Sequence, residues 1–202
     1  MEVNVIIIDN FYQDPDEVRE FALSQEFGVR GNYPGNRTES FLNDELKHYI
    51  NSIIEPHDGK ITYWGANDGQ DMYTGAFQIT TSADRTWIHS DSTTGWAGVC
   101  YLSPNAPHTG GTGLFRHKET GVYRVPRDVN GERASFDEEP LSLMENDYQD
   151  YTKWELVDTV GNVYNRLVLY RGDIFHASLD YFGHDNESGR LFQTFFFSTE
   201  NT

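Results

Sequence analysis

From about Thr62 onward, the chain consists of short segments rich in β-branched and aromatic residues. Examples are "RTWIHSD", "GWAGVCYLS", "VYNRLVLY" and "RLFQTFFFST". Gly, Asn, Asp or Pro residues separate these segments, which is the pattern of short strands joined by turns. A chain with many such strands buries their apolar faces by packing one sheet on another, so the pattern predicts a sandwich or jelly roll.

The N-terminal part has a different pattern. "VNVIIID" reads as a first strand, and "FYQDPDEVREFALSQEF" follows as a helix that Asp14 caps and in which Val18, Phe21 and Ala22 face inward. "SFLNDELKHYINSII" reads as a second amphipathic helix, with the apolar stripe Leu42, Leu46 and Ile50. The predicted fold is mainly β (α+β), a double-stranded β-helix or jelly roll with N-terminal helices packed on one sheet.

The length of 202 residues fits a single domain over 1–202. Residues 117–160 interrupt the strand rhythm with charged residues, turns and a short helical pattern. Two interpretations of this segment stay open. It is a surface excursion, or it is an insertion that serves as a lid or binds substrate, because long ordered loops are often functional.

The formal net charge of −17 disfavours binding to nucleic acids and to anionic membranes. The start "MEVNVIIIDN" has only four consecutive apolar residues, which is too few for a signal peptide or a membrane span. The single cysteine, Cys100, excludes an internal disulfide and a CxxC motif. We therefore expect a soluble, cytoplasmic protein.

The segment "WIHSD" places His89 and Asp91 two positions apart, and in a strand such side chains point to one face. That face is either exposed to solvent or binds a metal ion. His176 follows late in the chain in "DIFHASL", and Arg190 opens the next strand. Two imidazoles and a carboxylate suit iron(II) and leave adjacent positions for a bidentate keto acid and dioxygen. An arginine suits the remote carboxylate of such an acid.

At these residues the sequence resembles the iron(II)- and 2-oxoglutarate-dependent dioxygenases, nearest to their prolyl-4-hydroxylase-like branch. "VIIIDNFYQDPDEVREF" resembles the strand, D-N-F and helix that open that branch. "WAGVCYLSPNAPHTGGTGLF" resembles its strand-turn-strand with a Gly-Gly turn, and "RGDIFHASLDYFGHDNESGRLFQTFFF" resembles its closing segment. The resemblance covers about two thirds of the chain, and residues 117–160 lie outside it.

The resemblance implies a jelly-roll enzyme in which His89, Asp91 and His176 form the catalytic iron site and Arg190 binds the tail of 2-oxoglutarate. The reaction it implies is hydroxylation of a peptide side chain or small metabolite by dioxygen, with release of succinate and CO2. Ascorbate is a candidate reductant.

The sequence departs from the branch at a position where members often carry a tyrosine, before the first ligand. Thr80 stands there in this chain. The further candidates for a second partner of the keto acid are Gln78, Tyr101 and Thr194. Thr194 shares the strand face of Arg190 because the two are an even number of residues apart.

Three alternatives compete with this interpretation. A cupin needs His-x-His, which "HSD" lacks, and a zinc hydrolase of the HExxH type has no motif here. The third alternative is a non-catalytic jelly-roll binding module, in which His89 and Asp91 form a wet strand face and His176 is a buried structural residue.

Overall fold

The computed structural model describes residues 2–65, 74–91 and 93–202. In chain order the helices and strands are β1 (Val5–Ile8), α1 (Pro15–Leu23), β2 (Asn36–Ser40), α2 (Asp44–Asp58), β3 (Ile61–Trp64), β4 (Ala76–Thr80), β5 (Trp96–Tyr101), β6 (Thr112–His117), β7 (Trp154–Val160), β8 (Leu167–Arg171), β9 (His176–Ser178) and β10 (Arg190–Thr199). Short 3₁₀ turns lie at His108–Gly110, Ser142–Met144 and Tyr151–Lys153.

The strands form two antiparallel sheets. The larger sheet has the order β1-β8-β5-β10-β4-β2, with β3 also paired to β10, and the smaller sheet has the order β7-β6-β9. The chain is therefore mainly β with two helices, and this architecture is consistent with the predicted jelly roll. No helix in the described part of the chain is both long and apolar enough to cross a bilayer.

Both predicted helices form, but α2 begins later than predicted, so Leu42, which was expected on its apolar stripe, lies before the helix. Asp14 accepts a hydrogen bond from the Glu17 N–H at the start of α1, and Asn43 accepts one from the Leu46 N–H at the start of α2. The buried positions Leu46, Ile50 and Ile54 follow helical spacing along α2. These side chains share one hydrophobic cluster with buried residues of the larger sheet.

One position of α1 that was predicted to face inward is only partly buried. Ala22 is fully buried, but Phe21, which the pattern placed on the inner face, is 45% exposed. The Phe21 ring lies edge-on to the rings of Phe41 and Phe77. It therefore covers the rim of the cluster and leaves one edge in solvent.

The side chains of strand β10 alternate between two apolar clusters, one on each face of the larger sheet. Leu191 and Phe195 belong to the cluster that contains the helices, whereas Phe192 and Phe196 belong to a cluster with Tyr101 on the opposite face. Because strand side chains alternate, the side chains of even-numbered residues of β10 point toward the smaller sheet. This face holds the candidate site.

The segment "RTWIHSD" is not a regular strand, in contrast to the sequence prediction. It makes one isolated bridge, between His89 and His176. Its other backbone groups bond elsewhere: the Ile88 N–H donates to the Tyr148 carbonyl and the Asp91 N–H donates to the Gly172 carbonyl. Since successive N–H groups bond to different segments, no continuous ladder forms.

Asp58, the last residue of α2, connects this helix to the larger sheet. Its carboxylate accepts hydrogen bonds of 2.6 and 2.8 Å from the Arg171 guanidinium, 2.8 Å from Trp96 Nε1 and 2.6 Å from Thr199 Oγ1. Burial raises the pKa of Asp58, but these hydrogen bonds outweigh it, so the pKa lies below its ordinary value of 3.8. The charged form is therefore the one that the fold stabilises.

We predict that Asp58→Asn lowers the free energy of unfolding by about 3 kcal/mol at pH 7, because Arg171 loses its anionic partner in a buried site. Urea denaturation measures the change, with the exposed Asp137→Asn as control. Since the folded pKa is depressed, the charge contributes above 3.8 and its contribution is lost as the pH falls through the folded pKa. The difference between the parent and Asp58→Asn should therefore shrink below about pH 4, and a difference independent of pH would contradict this account.

Candidate metal centre

His89, Asp91 and His176 meet at one point between the sheets. His176 is the first residue of β9, and its mutual backbone hydrogen bonds with His89, of 2.9 and 2.8 Å, place the two imidazoles side by side. Their ring centroids are 4.5 Å apart. One ligand atom from each of the three residues lies within 4.8 Å of the others, which is a separation that a single ion could bridge.

A backbone carbonyl accepts a hydrogen bond from one ring nitrogen of each imidazole. His89 Nδ1 lies 3.0 Å from the Trp87 carbonyl oxygen, and His176 Nδ1 lies 2.8 Å from the Ile174 carbonyl oxygen. A carbonyl only accepts, so each Nδ1 carries a hydrogen. The Nε2 atoms lie 3.9 and 3.1 Å from the two oxygens of Asp91. Metal-binding histidines are commonly oriented in this way, with one ring nitrogen donating to a backbone carbonyl and the other facing the ion.

The charges at this point favour the forms that bind metal. Burial and the neighbouring His176 lower the pKa of His89 below 6.5, so its imidazole is neutral at pH 7. Burial raises the pKa of Asp91, but the charge and hydrogen bond of His176 outweigh it, with smaller contributions from His89 and Arg37, and the net pKa is below 3.8. The centre thus offers one carboxylate and at least one neutral imidazole.

A cavity of about 280 Å³ opens beside the three side chains. Gln78 and Thr194, two of the predicted partners of the keto acid, also line this cavity. Thr194 Oγ1 donates to the Ala76 carbonyl at 3.3 Å. Gln78 accepts hydrogen bonds from Arg37 through its Oε1 atom and donates to the Pro34 carbonyl at 2.7 Å. Both polar ends of the Gln78 amide are therefore engaged.

Arg190 lies on the same sheet face but beyond the lining of this cavity. It is completely buried, its Nε atom donates to the Gly110 carbonyl at 2.8 Å, and its guanidinium lies 4.3 Å from the centroid of the Phe192 ring. Phe192 itself lines the cavity. Arg190 Nη1 has no hydrogen-bond partner within the described part of the chain. A buried donor without a partner is costly, which is the property expected of a group that receives a ligand.

The two remaining predicted partners flank Arg190. The Arg190 guanidinium lies 5.3 Å from the Tyr101 ring centroid, and Thr80 is the residue opposite Arg190 in the β4–β10 pair. Tyr101 Oη and Thr112 Oγ1 share a hydrogen bond of 2.7 Å that joins the two sheets. Thr80 Oγ1 is buried and lacks a partner among the described residues. The structure therefore divides the predicted residues into a group at the cavity and a group around Arg190.

No sequence pattern indicated Arg37 as a residue of the site. It is 5% exposed, lines the cavity, and lies with its guanidinium 3.6 Å from the centroid of the Tyr33 ring. The segment "NRTES" has no apolar alternation, so neither a strand nor a buried position was predicted there. The signal that exists, a tyrosine near an arginine, is too common to identify a site.

Residues 117–160 also support the centre. The Tyr148 carbonyl accepts from the Ile88 N–H at 2.9 Å, and Arg133 Nη2 donates to the Thr94 carbonyl at 2.7 Å. Arg133 Nη1 lies 3.5 Å from the Asp91 carbonyl oxygen. The last part of the segment forms β7, which pairs with β6. Contacts from this segment thus reach the backbone on both sides of His89.

The fold is similar to that of two solved structures, HygX and a prolyl hydroxylase. HygX from Streptomyces hygroscopicus, crystallised with nickel, 2-oxoglutarate and hygromycin B, matches with a TM-score of 0.59 and 10% identity over 98% of this chain and 83% of HygX. A prolyl hydroxylase from Trichoplax adhaerens, in complex with a hypoxia inducible factor peptide, matches with a TM-score of 0.50 and 14% identity over 96% of this chain and 83% of that protein. These matches, at 10% and 14% identity, show that the chain shares the fold of both structures.

A comparison of the sequence with curated proteins finds no match. A family model described as "Family of unknown function (DUF6445)" matches residues 1–197. Since this match spans nearly the whole chain, the protein belongs to the DUF6445 family.

Proposed function

We propose that this protein is an iron(II)- and 2-oxoglutarate-dependent oxygenase that hydroxylates a small molecule or a peptide side chain. The observation that carries the proposal is the convergence of His89, Asp91 and His176 with both Nδ1 hydrogens engaged by backbone carbonyls. The fold similarity to HygX, whose crystals hold nickel and 2-oxoglutarate, supports the same function.

In this proposal the three side chains hold iron(II) through the two Nε2 atoms and an Asp91 oxygen. The iron, when bound, supplies oxidation of the substrate by dioxygen, coupled to conversion of 2-oxoglutarate to succinate and CO2. The protein contributes the fixed orientation of the ligands and a single carboxylate, which leaves positions on the ion for other ligands. The Trp87 and Ile174 carbonyls hold the imidazoles in place by accepting from Nδ1.

Arg190 binds the far carboxylate of 2-oxoglutarate in this proposal. Its buried Nη1 donor has no partner in the described part of the chain, the Tyr101 ring lies beside its guanidinium, and Thr80 is opposite it in the β4–β10 pair. A carboxylate there would satisfy the guanidinium through charge-assisted hydrogen bonds. Gln78 and Thr194 line the cavity beside the three proposed iron ligands.

The first test is metal binding. We expect one iron(II) per chain in anaerobic titration of the parent and loss of this binding in Asp91→Ala, because the remaining imidazoles supply no negative charge to the ion. The exposed Asp158→Ala, on β7, is the matched control and should bind iron normally. Circular dichroism checks that both variants are folded. A parent that binds no iron would favour the non-catalytic binding module.

The second test is 2-oxoglutarate binding to the anaerobic, iron-loaded protein by calorimetry. Arg190→Leu should weaken this binding about 30- to 1,000-fold, or about 2–4 kcal/mol, because it removes a charge-assisted contact. Arg190→Lys should lie in between, since it keeps the charge and loses the planar fork. Iron affinity should not change in either variant.

Arg116→Leu is the control for this experiment, because Arg116 lies on β6 but is exposed. Unchanged 2-oxoglutarate affinity in Arg190→Leu would mean that another residue holds the carboxylate. Succinate release from the parent with iron, dioxygen and 2-oxoglutarate then measures the reaction itself.

A further inference from the structure

Two hydroxyl groups on residues of the cavity wall lack a hydrogen-bond partner. Among the described residues, eight buried side-chain nitrogen or oxygen atoms have none, and two of these, Ser90 Oγ and Tyr181 Oη, belong to residues that line the cavity. Both atoms are shielded from bulk solvent. A buried hydroxyl group that has lost water without gaining a partner destabilises a fold, so two such groups at one cavity require an explanation.

The two hydroxyl groups belong to the two segments that carry the candidate metal ligands. Ser90 stands between His89 and Asp91 in the chain, and Tyr181 follows β9, which begins at His176. The mutual backbone hydrogen bonds of His89 and His176 bring these two segments together. All five residues line the cavity. A molecule that contacts Ser90 or Tyr181 in the cavity therefore also lies beside the metal ligands.

These hydroxyl groups are separate from the position assigned to the far carboxylate of 2-oxoglutarate. The unpartnered atoms Thr80 Oγ1 and Arg190 Nη1 belong to residues that do not line the cavity, whereas Ser90 and Tyr181 do line it. Arg190 supplies the positive charge that suits a carboxylate. Serine and tyrosine side chains are uncharged hydrogen-bonding groups near neutral pH, so they suit a different kind of ligand group.

The chemistry of a hydroxyl group indicates which ligand group it matches. A hydroxyl group donates one hydrogen bond and also accepts, so a ligand group that does both satisfies it most completely. Amides and alcohols have both capacities, whereas a carboxylate only accepts and an ammonium group only donates. Two neutral hydroxyl groups beside the metal ligands therefore favour an uncharged amide or hydroxyl group over a charged one.

We propose that Ser90 and Tyr181 bind an amide or hydroxyl group of the primary substrate. This inference rests on the proposed oxygenase function and adds the chemical class of its substrate. The carbon that is oxidised lies close to the bound group, because both residues belong to the segments that hold the metal ligands.

The first measurement is thermal unfolding, which needs no substrate. Tyr181→Phe and Ser90→Ala each remove a buried hydroxyl group that has no partner among the described residues. We expect the melting temperature of each variant to equal that of the parent or to exceed it by up to about 4 °C. A fall of that size in both variants would show that the hydroxyl groups serve the fold, and it would overturn the inference.

The second measurement is calorimetric binding of matched probes to the anaerobic protein loaded with iron(II) and 2-oxoglutarate. The probes are asparagine, glutamine and threonine, each as the free L-amino acid and as its N-acetyl amide. Each probe is paired with its isosteric analogue, which is aspartate, glutamate or valine in the same form. We expect at least one amide or hydroxyl probe to bind the parent about 3- to 10-fold more tightly than its analogue, which is the effect of one neutral hydrogen bond.

Tyr181→Phe and Ser90→Ala should each reduce this preference, while the affinities for iron and 2-oxoglutarate stay at the parent's values. The matched controls are Tyr49→Phe and Ser52→Ala, which remove the same groups from exposed positions of α2 and should keep the preference. The preferred probes should also increase succinate release in air. If Ser90→Ala does not fold, Tyr181→Phe decides.

Three binding results would contradict the inference. One is a parent that prefers no probe to its analogue, and another is an unchanged preference in both cavity variants. The third is a loss of 2-oxoglutarate affinity in both variants, which would assign the hydroxyl groups to the co-substrate. Failure of the proposed function is distinguishable, because it appears as a parent that binds neither iron nor 2-oxoglutarate, and it would remove the basis of this inference as well.

Discussion

The mutual backbone hydrogen bonds between His89 and His176 are the interaction on which the candidate site depends. They join two segments that are distant in sequence, and each N–H donates to the carbonyl of the other residue. Residues that pair in this way project their side chains to the same side, so the two imidazoles are placed together by backbone geometry. Asp91 then reaches them because its own N–H is held by the Gly172 carbonyl. Three side chains are thus positioned by three main-chain hydrogen bonds.

The orientation of both imidazoles is set locally. Each ring donates from Nδ1 to the carbonyl two residues earlier in its own segment, from His89 to Trp87 and from His176 to Ile174. A device of this kind needs no side chain from another part of the fold. The ring orientation is therefore set by the local backbone, and both Nε2 atoms face Asp91 before a ligand arrives.

The sequence predicted the strands and candidate ligands that depend on the type and order of residues alone. A segment rich in aromatic and β-branched residues predicted β10, and the order His89, Asp91, His176 predicted a cluster that the structure does bring together. Arg37 was missed because its position depends on Gln78, which lies on another strand, and because its neighbour Tyr33 is too common a signal to identify a site. Residues 85–91 were over-predicted as a strand, since composition does not reveal that successive N–H groups find different partners.

The contacts from Tyr148 and Arg133 to the backbone around His89 and Asp91 have a thermodynamic consequence. Because these contacts hold the ligand-bearing loop in the conformation that could bind an ion, ordering of residues 117–160 and occupation of the centre stabilise each other. Such coupling is reciprocal: whatever the segment contributes to the affinity of the centre, a bound ion returns to the segment as resistance to local opening. Protease resistance and hydrogen exchange in residues 117–160, which supply none of the proposed ligands, would then report how fully the centre is occupied.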